Sequence, residues 1–523
     1  MTLHTSPSDR RIIRAAGVVS LGMALSSVTG LVTQMLVSRA FGTSSELDAF
    51  YAANRLSEIL FSLMSGGALA SAFIPTFTGY LSQDDRQGAW RLASSIANLL
   101  LISISLVSAA AWVSAPWLVR NVIAPGFSDP GQISLTVNLL RIQLLSAVIF
   151  GLSGLLMGVL NAHQHFALPA LAPAFYRLGW ILGVLLLVPS MGIFGLAWGV
   201  VLGAVMHLLI QIPGLRAREG QYYPTVGLDD PGVRQVGRLM APRVLGVAVV
   251  QLNFLVNTII ASGQPEGSLT GITLAFSLMM MPQIVIAQAM AIAALPTFSE
   301  HVARGQLAEM RRALGNTLRG VVFLSLPASI GLMILRRPLV ALLLQGGAFN
   351  AQSTALVAWA LLWYAAGLVG HSVVEIVSRA FYALKDTRTP VIVGAAAMSL
   401  NVVFSLAFSS LFQRVGWMPH GGLALANSLA TALECAALLG LIRRRLGGLD
   451  WPRLKRGFLG SGAAGMTLVA ALLGWQYLSA GQSTWLIAGG GVVVGALVYW
   501  LIALWMRTPD ARELPGMLLG RRR

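Results

Sequence analysis

The chain has 523 residues, of which 56% are hydrophobic and only 11% charged, and its mean hydropathy is +0.74. Soluble domains carry about 25% charged residues, so this composition excludes a large soluble protein and points to an integral membrane protein. The net charge of +17 is therefore read as membrane topology rather than as a nucleic-acid footprint, and the single Cys435, set in an apolar run, excludes a disulfide framework within the chain.

The first residues, Met1 to Arg14, are polar and basic and include Arg10-Arg11. The apolar stretch behind them is longer than the core of an export signal and leads into a second span, which predicts an uncleaved first helix with basic anchors. Membrane spans need about 20 mainly apolar residues. On that ruler helices are predicted at approximately 15–40, 49–79, 89–115, 134–160, 167–189, 192–213, 237–262, 268–299, 315–335, 353–384, 388–411, 421–442, 459–479 and 484–506. The fold class is all-α integral membrane, with 14 transmembrane helices.

The first two spans carry an unusual load: Thr29, Thr33, Gln34, Arg39, Asp48, Arg55 and Glu58 lie within or beside them. An unpaired charge in hydrocarbon costs at least ~2.5 kcal/mol, so these residues need partners or water. At 100° per residue, Ser26, Ser27, Thr29, Thr33, Gln34 and Ser38 cover about half of the first helix. Such a face lines a cavity or supplies hydrogen bonds to a neighbouring helix. Glu58 follows Arg55 by three residues on the same face, which fits an internal ion pair as well as a substrate contact.

Further along, Arg39, Arg319 and Arg379 lie near span ends, where long side chains snorkel to the interface. Arg55, Arg141 and Arg243 lie a turn or two inward, and Arg177 is near the centre of the fifth helix, where a function or a buried pair is favoured. Glu375, one turn after His371, and Glu434 join Glu58 as candidates for ion coupling or for structural hydrogen bonding. Pro75, Pro242, Pro282, Pro296 and Pro327 interrupt helical segments, each removing a backbone donor and permitting a bend.

Loop charges set orientation. Only Arg120, Arg336, Arg337 and Arg414 fall in the loops assigned outside, while the other loop Lys and Arg residues fall on the opposite side, the densest run being Arg443 to Arg445 with Arg453, Lys455 and Arg456. The positive-inside rule then places both termini in the cytoplasm.

Ile74-Pro75-Thr76-Phe77 recurs as Leu295-Pro296-Thr297-Phe298, and Pro116-Trp117-Leu118-Val119 with Phe127 recurs as Pro338-Leu339-Val340 with Phe349. Asn161-Ala162 with Pro169 recurs as Tyr382-Ala383 with Pro390, and Gly195-Leu196-Ala197 as Gly422-Leu423-Ala424. Four matches in order at a shift of about 221 to 227 residues indicate an internal repeat. The period spans six helices, an even number, so the copies enter the membrane in the same sense. This predicts two parallel six-helix lobes, 1–214 and 215–445, plus two C-terminal helices within 446–523. It is the organisation of an alternating-access transporter. There is no phosphate-binding loop with Lys, no HExxH and no CxxC, so no enzyme, no metal centre and no cofactor is expected. A coupling cation of unspecified identity is the one small ion the reading invokes.

Several stretches taken together resemble the lipid II flippases of the MurJ/MviN family, within the multidrug and oligosaccharidyl-lipid exporter superfamily. They are Arg39-Ala40-Phe41-Gly42 with Leu47-Asp48-Ala49-Phe50, Ala72-Phe73-Ile74-Pro75, Ala124-Pro125-Gly126-Phe127, Asn161 with Phe166, Pro169 and Pro173, Pro242 with Gly246, Gln251 and Asn257, and Ala380-Phe381-Tyr382-Ala383-Leu384-Lys385-Asp386-Thr387-Arg388-Thr389-Pro390. The resemblance implies a 14-helix transporter whose last two helices form a groove for the polyprenyl tail. It also implies a central cavity whose arginines on helices 1, 2 and 8 hold the lipid diphosphate.

Here those positions read Ser27 and Thr33, Phe61 and Ser62, and Ser277, and the acidic position of helix 2 reads Gly66; Asp48 and Arg55 keep the pattern. A diphosphate in a low-dielectric cavity needs cations or many donors. The positive charge is therefore expected to have moved, to Arg55, to Arg177 where the family commonly has Asn, and to Arg243 where it usually has a small residue. The expected substrate-binding set is Thr29, Thr33, Arg39, Asp48, Arg55, Glu58, Arg177, Arg243 and Ser277, and the expected coupling set Glu58, Glu375 and Glu434.

The implied function is movement of a polyprenyl-diphosphate-linked saccharide, lipid II, from the inner to the outer leaflet of the bacterial inner membrane. Membrane lipids and cell-wall synthesis proteins are the implied partners, and no nucleic acid. A same-superfamily exporter of another lipid-linked oligosaccharide or amphiphile, and a non-transporting scaffold for envelope synthesis, are the competing readings.

Overall fold

The computed structural model describes residues 7–64, 67–449, 451–506, 508 and 510–511. The first residues of the basic N-terminus, the Gly66 position, the C-terminal 512–523 and the side chains of Arg10, Arg11, Arg14, Arg453 and Arg456 lie outside what is described. Among the described residues every regular element is helical, and Gly346 and Phe349 form a lone antiparallel bridge.

The chain divides into two compact units, residues 1–266 and 267–523. The first contains α1 (Pro7–Phe41), α2 (Ser45–Met64), α3 (Gly67–Ser82), α4 (Arg86–Val113), α5 (Pro130–Ala162), α6 (Ala167–Met191), α7 (Ile193–Arg216) and α8 (Pro231–Ser262). The second contains α9 (Ser268–Ala303), α10 (Leu307–Ile334), α11 (Ala351–Ala366), α12 (Leu368–Ala383), α13 (Arg388–Val415), α14 (His420–Arg445), α15 (Trp451–Leu478) and α16 (Leu486–Trp505). Among the described residues twelve helices are long and apolar enough to cross a membrane, or thirteen when α11 and α12 count as one bent span.

The stretch 49–79 is helical on both sides of residues 65–66, which lie outside the described residues, as α2 and α3. Helix α2 holds Glu46, Asp48, Arg55 and Glu58. One predicted helix is corrected: the stretch 353–384 bends by 45° between α11 and α12, at Gly367. Ser428 explains how the bend is tolerated. Its hydroxyl donates to Trp363 O at 2.6 Å and Tyr364 O at 3.4 Å, covering carbonyls at the break, and a Cβ on Gly367 would sit 2.5 Å from that hydroxyl.

Helix starts follow local chemistry. Asp85, Asp129, Asp230 and Asn350 accept from the backbone N–H of Gly88, Gln132, Gly232 and Ser353 at 2.7 to 2.9 Å, and proline stands at the first position of α5 and α8. Past Pro282, which cannot donate, α9 widens into a π-helical turn over Ile284–Gln288.

In lipid there is no hydrophobic drive between helices, so close packing of small residues carries their association. In unit 1 a Cβ on Gly179 of α6 would lie 2.2 Å from Gly203 Cα of α7, and one on Gly183 2.5 Å from Gly199 Cα. In unit 2, Phe298, Met310, Leu314, Val377, Phe381, Leu438 and Ile442 pack into one buried cluster from α9, α10, α12 and α14. The last two helices add a second cluster around Phe323, Leu468, Leu472 and Tyr499, where the Tyr499 hydroxyl donates to Phe323 O at 2.9 Å.

Candidate functional site

Unit 1 encloses a cavity of about 330 Å³ walled by polar Ser26, Asn54, Ser57, Glu58, Ser146 and Arg177 and by the rings of Phe61, Phe150, Tyr176 and Trp180. Helical spacing builds it. Asn54, Ser57, Glu58 and Phe61 recur at three- and four-residue intervals along one face of α2, and Pro173, Tyr176, Arg177 and Trp180 do the same on α6. Ser26 brings α1 to the wall, and Ser146 and Phe150 bring α5.

Glu58 is held from two sides. Asn54 Nδ2 donates to its Oε1 at 2.8 Å, and Arg55 Nη1 contacts its Oε2 at 2.8 Å. Arg55 is itself shared: its Nε donates to Thr258 Oγ1 of α8 at 3.2 Å, and its guanidinium lies 5.5 Å from the centre of the Phe254 ring. The ion pair read from the i, i+3 spacing is therefore present, and it also ties α2 to α8.

Arg177 is different. Its half-buried guanidinium lies 5.7 Å from the Tyr176 ring centre and 5.6 Å from that of Trp180, and makes no hydrogen bond or ion pair with any described residue. Stacking on aromatic faces orients the cation while leaving its donors available. Thr33 supports this helix from α1, donating to Arg177 O at 3.3 Å and to Thr29 O at 2.8 Å.

The remaining predicted residues are dispersed. Thr29 turns back on its own helix, donating to Leu25 O at 2.9 Å. The polar arc of α1 thus divides its work: Ser26 lines the cavity, Thr33 bonds a neighbouring helix, and Ser27 and Thr29 satisfy their own backbone. Arg39 is exposed in the last turn of α1, and Asp48 is buried in the first turn of α2, where a carboxylate suits the helix dipole. Arg243 is exposed and makes no hydrogen bond or ion pair with any described residue.

Ser277 is half-buried on α9 in unit 2. In the same unit Glu375 pairs with Arg379 at 2.7 Å, whose guanidinium stacks on Tyr382. His371 Nε2 meets Asn427 Oδ1 at 3.0 Å and Thr431 Oγ1 at 3.3 Å. Glu434 is half-buried with no hydrogen bond or ion pair to any described residue, and its Oε1 would lie 3.3 Å from a Cβ placed on Gly394.

Sequence reading missed Asn54, Thr258 and the aromatic wall. Asn54 was reachable, since it precedes Glu58 by one helical turn. Thr258 lies 203 residues from Arg55, and nothing local signals that meeting.

The family model described as "Lipid II flippase MurJ" matches residues 37–497. The chain belongs to the lipid II flippase MurJ family. "Lipid II flippase MurJ" of Burkholderia cenocepacia is 31% identical over 83% of this chain and 84% of its own length. "Probable lipid II flippase MurJ" of Rhizobium tropici is 29% identical over 91% of each. Among solved structures, "Lipid II flippase MurJ, inward closed conformation" superposes with a TM-score of 0.80 at 23% identity, covering 94% of this chain and 98% of that one. An inward-facing multidrug resistance MATE family transporter of the MOP superfamily gives 0.68 at 17% identity, over 83% and 98%. These two likenesses concern the fold. The MurJ-family chain described here thus combines a shared helical scaffold with a unit 1 cavity in which Arg177 supplies the unpaired cation.

Proposed function

We propose that this chain is a lipid II flippase that carries a polyprenyl-diphosphate-linked saccharide from the inner to the outer leaflet of the bacterial inner membrane by alternating access. The observation that carries the reading is the polar unit 1 cavity with the unpaired Arg177 guanidinium on its wall, in a chain of the MurJ family. In low dielectric a guanidinium binds phosphate oxygens through short charge-assisted hydrogen bonds. Asn54, Ser26, Ser57 and the Tyr176 hydroxyl supply neutral donors around it.

Arg55 is the second cation of the site, and Glu58 holds it until substrate arrives. A diphosphate competes with Glu58 for Arg55, and a cation or proton taken up by Glu58 favours that exchange, which couples movement to an ion. Glu375 and Glu434 are the corresponding coupling candidates of unit 2, while Thr29, Thr33, Arg39, Asp48, Arg243 and Ser277 stay outside the phosphate-binding role. The head group passes through protein while the tail stays in lipid beside α15 and α16. No bond is made or broken, so the protein acts as a transporter and not as an enzyme.

The topology that goes with this reading has fourteen spans, with α2 and α3 together forming the second. It has parallel lobes 1–214 and 215–445, a C-terminal pair within 446–523, and both termini in the cytoplasm. Loop arginines and the internal repeat support it. Cell-wall synthesis proteins are the partners a flippase of this cargo would serve.

Leaflet-specific labelling of lipid II in cells depleted of the protein tests the reading. Lipid II is expected to accumulate in the inner leaflet, with rescue by the native chain and none by Arg55→Ala/Arg177→Asn. Unchanged outward lipid II with loss of another glycan would instead establish a different lipid-linked oligosaccharide or amphiphile as cargo, a reading favoured by the aromatic wall of the cavity. Normal export of every glycan with mislocalised envelope enzymes would establish a scaffold.

A further inference from the structure

An apolar cleft of unit 2 lies away from the unit 1 cavity. It has a volume of about 400 Å³ and is walled by Leu318 and Val322 of α10, Val373 of α12, Leu439 of α14, and Leu454 and Phe458 of α15. This is within the range of roughly 300 to 1,000 Å³ typical of small-molecule sites. Its polar boundary is Arg443, at the end of α14.

A second space of about 530 Å³ is bounded by Gly440, Arg443, Arg444, Gly447 and Gly448. Gly440 and Arg443 belong to both, so the apolar cleft runs directly into a basic mouth. A Cβ added to Gly440 meets nothing within 4 Å, so this position leaves the passage open.

The arginines of this corner are not equivalent. Arg445 is committed to Asp386 at 3.2 Å, and Arg311 Nη1 donates to Gly447 O at 3.3 Å, fixing the turn. That turn needs glycine, because Gly447 and Gly448 hold φ of +66° and +128°. Arg443 and Arg444 are exposed and make no ion pair with any described residue. A shaped apolar cleft ending on two unpaired guanidinium groups is complementary to an amphiphile with one acyl chain to bury and one anionic head to place.

We propose that this corner is a binding site for an anionic glycerophospholipid, with an acyl chain in the cleft and the phosphate on Arg443 and Arg444. The occupant is a membrane lipid held at the end of α14 and not the transported cargo. The site keeps α10, α14 and α15 packed around a filled rather than an empty cleft, since an unfilled apolar space forfeits the contacts of its lining.

The test is native mass spectrometry of the full chain in detergent, titrated with dioleoyl phosphatidylglycerol, dioleoyl phosphatidylcholine, glycerol 3-phosphate and undecaprenyl phosphate. Phosphatidylglycerol is expected to be retained over phosphatidylcholine. Its affinity should fall about five-fold per arginine removed in Arg443→Gln and Arg444→Gln. Gly440→Leu, which directs a side chain into open space without a clash, should abolish retention by filling the passage. Arg120→Gln, an exposed arginine of unit 1, controls for loss of charge alone and should change nothing. The proposal is overturned if the two phospholipids bind alike or if the Arg443, Arg444 and Gly440 variants retain lipid as the native chain does. It is equally overturned if glycerol 3-phosphate binds as tightly as the lipid, or if undecaprenyl phosphate displaces phosphatidylglycerol at equal concentration.

Discussion

Arg55 donates through Nε to Thr258 Oγ1 at 3.2 Å while its Nη1 remains on Glu58 at 2.8 Å, so one guanidinium joins an internal ion pair of α2 to a hydroxyl of α8. The two bonds leave from different nitrogens, which a lysine cannot reproduce from one ammonium in the same planar geometry. Arg55→Lys is therefore expected to keep the fold and lose about ten-fold in the rate of lipid II appearance in the outer leaflet. Thr258→Val, which removes only the tie to α8, should lose less. Equal loss in the two variants would assign the effect to the tie alone rather than to the cation.

Arg177 has no hydrogen-bonded partner among the described residues to lose, so its removal separates binding from stability. A hydrogen bond to a charged group contributes about 1.5 to 3 kcal/mol, or roughly 10- to 100-fold in affinity. Arg177→Asn is expected to weaken lipid II binding by that factor, read by native mass spectrometry. Its thermal unfolding should match that of the native chain. A variant that unfolds early yet binds normally would make Arg177 a packing residue.

How much of this was legible in the chain depends on whether the signal was local. Span positions came from runs of apolar residues, and the Arg55–Glu58 pair from a three-residue spacing. The break at Gly367 was missed because hydropathy is continuous across it. What permits it is a hydroxyl from Ser428, about sixty residues away, on carbonyls of Trp363 and Tyr364. Arg243 illustrates the converse. It sits on α8 with Phe254 and Thr258, eleven and fifteen residues on, and those two meet Arg55 while Arg243 is exposed and makes no hydrogen bond or ion pair with any described residue.

The α6–α7 contact rests on the absence of side chains. A Cβ at Gly179 would come 2.2 Å from Gly203 Cα, a backbone atom that cannot swing aside. Overpacking of this kind costs about 1 to 3 kcal/mol. Gly179→Ala should lower the unfolding temperature in detergent. Gly237→Ala on α8, where a Cβ meets nothing within 4 Å, should leave it unchanged or raise it slightly. Equal melting of the two variants would show that α6 and α7 do not approach so closely.

Arg319 and Asp510 form a buried pair at 3.6 Å, with side chains 8% and 5% exposed, which fastens the chain after α16 to α10. Breaking a buried pair by removing one partner costs about 3 to 5 kcal/mol, whereas replacing both with apolar residues is often neutral. Asp510→Ala is expected to destabilise unit 2 strongly, and Arg319→Met added to it should recover most of the loss. If the double variant is no better than Asp510→Ala, the penalty comes from something other than the broken Arg319–Asp510 pair.

Asp386 lies in the turn between α12 and α13, outside the spans, and its carboxylate is held below the ordinary value of 3.8. The cause is chiefly hydrogen bonding from Thr389, whose N–H donates to Oδ1 at 3.1 Å and whose hydroxyl donates to Oδ2 at 2.8 Å. Arg445, at 3.2 Å, adds a smaller attraction, because its side chain is 54% exposed and screened by solvent. A carboxyl whose folded pKa is depressed contributes stability that is fully present above the unfolded value. That contribution is lost as pH falls through the folded value. The stability difference between the native chain and Asp386→Asn should therefore stay constant from neutral pH down to about 4 and close only below it. Arg445→Gln should remove a small part of the difference, and Thr389→Val a larger part. Denaturant unfolding of the full chain in detergent across that range checks the sign. A gap that widens on acidification would mean that the folded state favours the protonated acid, contrary to the geometry of the turn.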